Sequence, residues 1–482
     1  MRMLGRKNNQ PSFMDAEISR ALPKEHPLLA IRELVDFAMV EEETKHLYSP
    51  DNGRPSYAPE VLFRLLFLEV WANLSDVQVC RETQYNLLYR VFCGIGWDDQ
   101  VPDDTTLVVF RRRLGEDVFR KLFERVVDGA KAKGLLKGEW TIVDGTKIKA
   151  HATEHRLISL MRQGRKRIVE GLRKTDPQKA EELSDLAKPL DDADYRNRSE
   201  LAQAEADRTE QLLKAIDPEP ASRVAEDAQT LHKIVARDGT TSFADPEARW
   251  GFQKKDEPFL GYKTVISTDE SGIVTGVRVV TGNESEVDSL LPLIKDLKAR
   301  GLAAGKLAAD KGYDGKELRE ELRDLGVRAY TPKRQTKDNL PEGFTYDHKR
   351  DAVRCPKGKL SHQKTPHKRG GILYSFRSTD CQRCPLRDGC LTASRRAKIV
   401  YYRADLHEHR PKGIHQAMRI RRTVERVFGD AKYWHRMERS RYTRRRRVAT
   451  QVLLTMTVLN AKKMVKLLTA PKRAPRSGYL YV

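Results

Sequence analysis

The sequence lacks long apolar runs and is poor in cysteine. Its longest apolar stretch, VATQVLLTMTVLNA at 448–461, is too short and too polar to span a bilayer. The first residues, MRMLGRKNNQPSFM, contain no apolar segment, so we expect no secretion signal. Six cysteines among 482 residues indicate reduced thiols or metal ligands rather than a disulfide framework. These absences predict a soluble, cytoplasmic protein with no membrane partner.

Basic residues outnumber acidic ones. The chain has 90 Lys and Arg residues against 68 Asp and Glu residues, which leaves a formal charge of +22. Such an excess favours nucleic acid as the partner. A membrane surface explains it less well, because the charge is spread along the chain and not confined to one amphipathic helix. The length is too great for one compact core and predicts roughly two to four domains.

Hydrophobic periodicity divides the chain into segments. Apolar residues at helical spacing predict an all-helical N-terminal domain over 1–135, with Ser75 and Asp104 as helix N-caps. Strand patterns within 136–154 and 236–349, including a hairpin around 269–272, alternate with helices and predict an α/β core. The highly charged segment 155–235 is expected to be a solvated helical insertion. An irregular cysteine-bearing stretch at 350–400, two helices within 401–470 and a basic tail at 471–482 complete the chain.

The segment RRTVERVFGDAKYWHR, residues 421–436, places an acid among bases. Between residues 419 and 447 there are twelve Lys or Arg residues and three acids. On a helix, Arg421 and Lys432 fall within about 40° of Glu425. A separate apolar stripe is predicted to be buried, formed by Ile420, Val424, Val427, Ala431 and Trp434. Glu425 is then either a surface acid paired with Arg421 or a functional carboxylate placed where a polyanion binds.

Two aspartates follow apolar strand patterns. Asp144 ends TIVD and precedes a glycine, and Asp310 ends KLAAD. Such an acid is commonly a helix cap or a turn residue, but sites in α/β sheets also form at the carboxyl ends of strands. Three carboxylates in a basic chain suit phosphodiester chemistry, in which two Mg²⁺ ions need hard oxygen ligands. The basic residues around them would hold the DNA backbone.

These blocks resemble the DDE transposases of bacterial insertion sequences. GRPSYAPEVLFRLLFLEVWANLSD and VPDDTTLVVFRRRL are similar to the N-terminal helical domain of that family, and TIVDGTKIKA, GYKTVIS and AADKGYDG are similar to its first two acidic blocks. The family's third block carries a Tyr-Arg-Glu-Lys signature, with two, three and six residues between successive members. Arg421, Glu425 and Lys432 match it, whereas Met418 stands at the Tyr position.

The resemblance implies a fold and an activity. The fold would be an RNase H-like core with a five-stranded mixed sheet, joined to the helical N-terminal domain, the helical insertion and the cysteine-containing insertion. Asp144, Asp310 and Glu425 would hold two Mg²⁺ or Mn²⁺ ions. Arg421 and Lys432 would bind phosphates at the transposon end. Lys311 and Tyr313 would either support Asp310 or shape its turn.

The same resemblance implies partners and leaves alternatives. A transposase acts on transposon-end DNA and target DNA, as a homodimer in the DNA complex, within the bacterial cytoplasm and in association with the nucleoid. A nuclease of the same fold would share the acids but would not transfer strands. A catalytically inactive DNA-binding regulator would need the basic regions but not the acids.

Four cysteines form a second constellation. Cys355, Cys381, Cys384 and Cys390 have a spacing that suits a tetrahedral zinc site, with His362 or His367 as substitutes. The alternative is a set of reduced thiols in an irregular loop. The other two cysteines, Cys80 and Cys93, are expected in the helical core.

Two arginine clusters are candidate DNA contacts. Arg111, Arg112 and Arg113 would lie on the second helix of a helix-turn-helix formed by SDVQVCRETQ and DDTTLVVFRRRLG, or on the solvated face of a helical bundle. Arg444, Arg445, Arg446 and Arg447 are predicted to bind phosphates without base specificity.

Overall fold

The structure, a computed structural model, describes residues 3–5, 12–152, 157–195, 197–252, 257–332, 340–347, 349–367, 371–392, 394–402 and 413–469. The described chain divides into two compact units. The first takes its residues from 1–308, 320–329 and 419–482, and the second from 309–319 and 330–418. The predicted basic tail at 471–482 lies outside the described residues.

The N-terminal region is helical, as predicted. Its helices are α1 (Phe13–Ala21), α2 (Pro27–Leu34), α3 (Met39–Thr44), α4 (Pro59–Trp71), α5 (Asp76–Tyr85), α6 (Leu87–Cys93) and α7 (Asp104–Ala132). Ser75 caps α5 as expected, accepting from the Gln78 N–H at 3.2 Å. The predicted Asp104 cap is wrong by one residue, because Asp103 accepts from the Thr106 N–H at 2.6 Å and begins α7. Cys80 and Cys93 are buried among these helices, as expected.

The predicted helix-turn-helix is wrong, because its two helices, α5 and α7, are not successive: α6 lies between them. Asn86 ends α5 and accepts from the Tyr89 N–H at 3.2 Å, so it caps the additional helix α6. The apolar spacing runs through both helices and does not show this break. Within α7, Gly115 has φ +62° and ψ −178°, which kinks the predicted continuous helix.

The central sheet of the first unit is mixed and has six strands. They are β1 (Trp140–Lys149), β2 (Arg249–Phe252), β3 (Pro258–Thr268), β4 (Val274–Thr281), β5 (Lys306–Ala308) and β6 (Arg328–Tyr330). The order β4-β3-β1-β5-β6 supplies the five expected strands, and β2 adds a sixth that also pairs with β3. β1 is antiparallel to β3 and parallel to β5. The predicted hairpin around 269–272 is confirmed, since it joins β3 to β4.

The insertion between β1 and β2 is helical, but the expectation of a merely solvated segment is wrong. It consists of α8 (Leu157–Thr175), α9 (Pro177–Glu182), α10 (Ser184–Ala187), α11 (Arg198–Lys214) and α12 (Arg223–Val235). These helices enclose their own apolar core, which includes Leu160, Ile168, Leu212 and Leu231. Arg165 and Glu205 form a fully buried ion pair beside it. The segment is rich in charged residues because the outer faces of its helices are charged, and its composition therefore does not reveal this core.

The second unit carries small sheets where an irregular stretch was expected, so that expectation is wrong. The chain reaches it through α13 (Leu290–Ala299) of the first unit and α14 (Lys316–Asp324), which is divided between the units. The elements from residue 330 onward in the second unit are β7 (Thr345–Asp347), β8 (Ala352–Arg354), β9 (Gln363–Pro366), β10 (Ile372–Ser375), α15 (Ser378–Gln382), α16 (Arg387–Cys390) and β11 (Ile399–Tyr402). β7 pairs with β8, and β9, β10 and β11 form a three-stranded sheet. Its buried core is small, formed by Phe344, Val353, Tyr374, Phe376, Val400 and Tyr402.

The two C-terminal helices fall within the predicted segment 401–470. They are α17 (Ile414–His435) and α18 (Arg445–Thr469). α18 is buried along most of its length, which explains the apolar stretch at 448–461. No helix within the described ranges is both long enough and apolar enough to cross a bilayer.

Candidate active site

Asp144 lies inside strand β1 rather than at its end. β1 continues to Lys149, so a role for Asp144 as a turn or cap residue is wrong. The backbone of Asp144 pairs with Ile266 of β3, and Ile142, two residues earlier, pairs with Ala308 of β5. Neighbouring strands on both sides therefore fix the position of this carboxylate.

One guanidinium joins Asp144 to Glu425. Arg421 donates from Nη1 to Asp144 Oδ2 at 2.8 Å and from Nη2 to Glu425 Oε1 at 2.6 Å. Arg421 and Glu425 are one turn apart on α17 and so share a face of that helix. The side chain of Glu425 is 49% exposed, whereas those of Asp144 and Arg421 are 18% and 20% exposed. The helix pair expected from the sequence is present, and the same arginine also binds the strand aspartate.

Lys432 lies near the same strand. Burial lowers the pKa of its ammonium group, the charges of Glu438 and Asp144 oppose that shift, and those of Lys147 and Lys149 add to it. Lys147 and Lys149 belong to β1, as Asp144 does. The charge of Asp144 therefore acts on both bases of the signature, on Arg421 through an ion pair and on Lys432 through its pKa.

The buried face of α17 differs from the predicted stripe at both ends. Val424, Val427 and Ala431 are buried as expected, whereas Ile420 is only partly buried. Trp434 is 61% exposed, so its predicted burial is wrong, and His435 is buried instead at 2% exposure. His435 Nδ1 lies 2.7 Å from the carbonyl oxygen of Val70 on α4, and this contact turns the last residue of the helix inward.

A carboxylate that sequence reasoning missed lies against Gly145, the residue after Asp144. Gly145 has no side chain, and a Cβ built there would come within 2.1 Å of Glu286 Oε2. Only glycine leaves that space for the Glu286 carboxylate. Successive residues of a strand face opposite sides of the sheet, so Glu286 approaches the face opposite to the Asp144 side chain. The glycine after the aspartate was the one sequence signal for this close approach.

Asp310 belongs to the second unit and follows β5 by two residues. It precedes a 3₁₀ turn at Lys311–Tyr313, and its carboxylate makes no capping hydrogen bond to that turn. Its backbone carbonyl accepts from the Tyr313 N–H at 3.0 Å. The structure thus gives no support to the reading of the Asp310 side chain as a cap.

A second missed carboxylate, Asp245, connects three elements of the first unit. It is fully buried, and its Oδ1 accepts from Tyr262 Oη at 2.6 Å and from the Arg444 backbone N–H at 2.9 Å. Burial raises the pKa of this carboxyl group, and the hydrogen bond from Tyr262 opposes the shift. The stretch SFADPEARWG contains this residue, but nothing in the stretch marks it as buried.

The chemistry of the site suits a hard divalent cation. Carboxylate oxygens are the ligands that Mg²⁺ and Mn²⁺ prefer. Asp144 and Glu425 already face one positive group, the guanidinium of Arg421. As they stand, no three His, Cys, Asp or Glu side chains in the described segments are grouped closely enough to hold a metal ion. A cation bound by either carboxylate would compete with Arg421 for its oxygens.

The four cysteines of the second unit line a single pocket. Phe344 and Phe376 of the small core line it as well. Burial raises the pKa of the Cys390 thiol; the charge of Lys398 opposes that shift, and the other three thiols add to it. Neither His362 nor His367 lines this pocket. The predicted cysteine constellation is therefore one cluster in space, although no three of its thiols are grouped closely enough to hold a metal ion.

The predicted DNA-binding arginines have different surroundings. Arg111 is directed inward, 11% exposed, and pairs with Glu69 and Asp76. Arg112 is exposed, and Arg113 lies over the ring of Tyr48, 4.5 Å from its centroid.

The second cluster is divided in the same way. Arg444 pairs with Glu226 at 2.8 Å, and Arg445 pairs with Glu116 at 3.4 Å. Arg446 and Arg447 are exposed. Exposed guanidinium groups are the ones available to phosphates, so the arginines within each cluster contribute unequally to any polyanion surface.

Two family descriptions match the chain. Residues 16–113 match the Transposase domain (DUF772), and residues 229–461 match the Transposase DDE domain. The second match contains Asp310 and Glu425 and begins after Asp144. No solved structure matches the chain.

Proposed function

Because the chain is a DDE-type transposase, an enzyme that cleaves DNA and transfers its strands, we propose that Asp144, Asp310 and Glu425 hold the metal ions of its active site. Enzymes of this family depend on divalent metal ions. Two Mg²⁺ or Mn²⁺ ions, when bound, activate the attacking oxygen and stabilise the leaving oxygen of the phosphodiester. The observation that carries the proposal is the pair of hydrogen bonds from Arg421 to Asp144 and Glu425.

Asp310 completes this proposal through its place in the chain. It lies in the segment AADKGYDG, which resembles an acidic block of the family, and within the residues that match the Transposase DDE domain. The carboxylate of Asp310 is not used as a cap. Arg421 and Lys432 are proposed to bind phosphates of the transposon end, and their charges would offset those of the acids between catalytic cycles.

The test is cleavage of DNA that carries the flanking ends of the element. Asp144→Ala, Asp310→Ala and Glu425→Ala should each reduce cleavage by at least about a thousandfold, because a metal ligand is lost. DNA binding should persist, because the basic surface is unchanged. Glu438→Ala is the matched control, since Glu438 is an exposed acid of the same basic segment that pairs with Lys149. Near-normal cleavage by Glu425→Ala would show that the site is assigned wrongly.

The same reaction separates the transposase from its two alternatives. A transposase yields element 3′ ends joined to target DNA, whereas a nuclease of the same fold yields cut ends alone. A DNA-binding regulator yields neither product. Sedimentation of the protein with end DNA tests the proposed homodimer. The proposed site of action is the bacterial nucleoid in the cytoplasm, and immunofluorescence of the tagged chain tests this.

A structural Zn²⁺ in the second unit is a separate proposal. Its proposed ligands are Cys355, Cys381, Cys384 and Cys390, which line one pocket, and thiolates suit zinc. The unit has a small apolar core, and small cores commonly need a metal or disulfide to be stable. Holding one ion would require the thiols to turn toward a common point.

Zinc content is measured on freshly prepared, reduced protein. About one Zn²⁺ per chain is expected, because the site supplies four ligands to one tetrahedral ion. Cys384→Ser should lose this zinc, and a zinc-selective chelator should make 350–400 sensitive to protease. Cys80→Ala is the control, since Cys80 is buried in the first unit and should not affect zinc content. Protein without zinc would leave the four cysteines as ordinary thiols.

A further inference from the structure

One face of α17 next to the candidate active site is exposed. Arg422, Arg426, Gly429 and Tyr433 fall within about 60° of one another around the helix and form a stripe about 16 Å long. All four are exposed, and Tyr433 is exposed to 77%. Within the described part of the chain, no hydrogen bond or ion pair engages the guanidinium of Arg422 or Arg426. We call these four residues the α17 stripe.

Gly429 is the unusual member of the stripe. A Cβ built on Gly429 would have no atom within 4 Å, so neither packing nor steric conflict in this chain requires glycine. Glycine in the interior of an exposed helix is less stable than alanine. Glycine is favoured where another backbone approaches closely, and two arginines precede this one on the same stripe. A polyanion lying along the stripe would make that approach.

Two aromatic rings stand at the end of the stripe. Tyr433 and Trp434 pack edge to face with ring centroids 4.7 Å apart, and Trp434 is 61% exposed. Large exposed rings beside arginines form stacking platforms for unpaired bases. Asp430, the acid nearest to Gly429 in sequence, interacts electrostatically with Lys462 and Lys463, and its negative charge acts to raise the pKa of both lysines.

We propose that the α17 stripe binds one strand of DNA at an unpaired end. Phosphates lie on Arg422 and Arg426, the sugar-phosphate backbone passes over Gly429, and an unstacked base rests on the Tyr433–Trp434 pair. The stripe lies roughly 70° around α17 from Glu425, so the strand runs past the face that carries the proposed metal ligand. This inference rests on the proposed function, since it describes how the same site holds its DNA.

The first experiment compares two glycine substitutions in the full chain. Gly429→Ala should raise the urea midpoint of unfolding. It should also weaken binding to an unpaired oligonucleotide of thymidines about tenfold, because the added methyl group would hold the DNA backbone away and so cost about one charge-assisted hydrogen bond. Gly129→Ala on α7 is the matched control, because a Cβ there also has no atom within 4 Å. It should give the same stabilisation with unchanged DNA binding. Unchanged DNA binding by Gly429→Ala, or a lower urea midpoint, would overturn the proposal.

The second experiment separates base stacking from phosphate binding. Binding is measured to a thymidine oligonucleotide and to the same length with abasic sites, without divalent metal ions so that no strand is cut. Removing bases should weaken binding by the wild-type chain about five- to a hundredfold. The double variant Tyr433→Ala and Trp434→Ala should no longer distinguish the two oligonucleotides. Tyr85→Ala is the control, as this tyrosine of α5 is 79% exposed.

The outcomes are distinct from those that test the active site. If wild type and the double variant lose affinity equally when bases are removed, no base rests on these rings and the proposal fails. If the double variant instead loses self-association in sedimentation and keeps its DNA affinity, the face binds a second copy and the proposal also fails. Normal cleavage by Asp144→Ala would overturn the metal site but would leave these binding results unchanged.

Discussion

At the scale of single residues, Arg421 offsets the negative charges of Asp144 and Glu425 in the candidate site. Its guanidinium is shared by a strand carboxylate and a helix carboxylate, so three charged groups from two elements form one network. A planar guanidinium can donate to both acids at once, which the ammonium group of lysine does less well. The same group cannot bind both acids fully and a phosphate. Metal binding by the acids would therefore release Arg421 toward DNA.

Substitution of Arg421 tests this exchange. Arg421→Ala should lower the slope of log affinity against log salt concentration by about one counterion, because one phosphate contact is lost. Arg421→Lys should restore the slope but not the full cleavage rate, since lysine does not reproduce the paired hydrogen bonds. Salt titrations of end-DNA binding provide the measurement. A slope equal to that of wild type in Arg421→Ala would indicate that this arginine serves only to pair the acids.

His435 makes stability depend on pH. Burial lowers its pKa from 6.5 to about 4, and the neighbouring charge of Lys462 acts in the same direction. The unfolded state then binds a proton between pH 6.5 and 4 that the folded state does not. Stability is therefore full above pH 6.5 and falls as the pH is lowered toward 4, by up to about 3 kcal/mol.

The measurement is urea unfolding between pH 7 and pH 5. His435→Gln should reduce the dependence on pH in this range, because glutamine does not titrate. His415→Gln, at an exposed position of α17, should leave the dependence as in wild type. A wild-type stability that is constant across this range would contradict the buried neutral histidine.

Several of these side-chain positions could not be predicted from the sequence. The helical spacing places Arg421 beside Glu425 correctly, because that pair depends only on the helix. The spacing also predicts burial of Trp434, which is wrong because the end of α17 turns His435 inward against Val70. Similarly, Arg111 is directed inward by Glu69, an acid that lies on α4. Contacts between distant segments decide both positions.

At the scale of elements, the kink in α7 depends on one glycine. Gly115 has φ +62° and ψ −178°, a conformation that is almost confined to glycine. Gly115→Ala should destabilise the protein by about 1–3 kcal/mol. Gly129→Ala on the same helix should be stabilising, because helical φ and ψ favour alanine there. Chemical unfolding of both variants is the measurement, and a neutral Gly115→Ala would contradict the kink.

Long elements were predictable, but short ones were not. The bounds of α17 and α18 follow from apolar spacing over many turns. The break between α5 and α6 depends on the single cap Asn86, and the strands of the second unit are three or four residues long. Short strands carry too few alternating residues to stand out from irregular chain. The extra strand β2 was missed for the same reason.

At the scale of the whole molecule, the excess of positive charge is partly internal. Arg111, Arg444 and Arg445 are engaged by acids, whereas Arg446 and Arg447 are exposed. The net charge of +22 follows from composition alone. The separation into two compact units does not, because it depends on which segments of the chain meet after folding.

Binding to duplex DNA of random sequence measures the accessible charge. Arg446→Ser together with Arg447→Ser should lower the salt slope by about two counterions without a change in stability. Arg111→Ala should instead reduce stability, since it leaves the buried acid Glu69 with one guanidinium fewer. A salt slope unchanged in the double variant would exclude these two arginines from the DNA surface.

The pairing of β1 with β3 also has a consequence for the order of folding. Lys149 pairs with Gly261, and the helical insertion occupies most of the chain between them. The two strands pair only when the ends of this long intervening segment come together. Contacts between residues so distant in sequence form slowly. The insertion has its own core and can become compact first, which shortens the distance that the strands must cover. The strand that carries Asp144 is therefore expected to acquire its antiparallel neighbour late, after the insertion has folded.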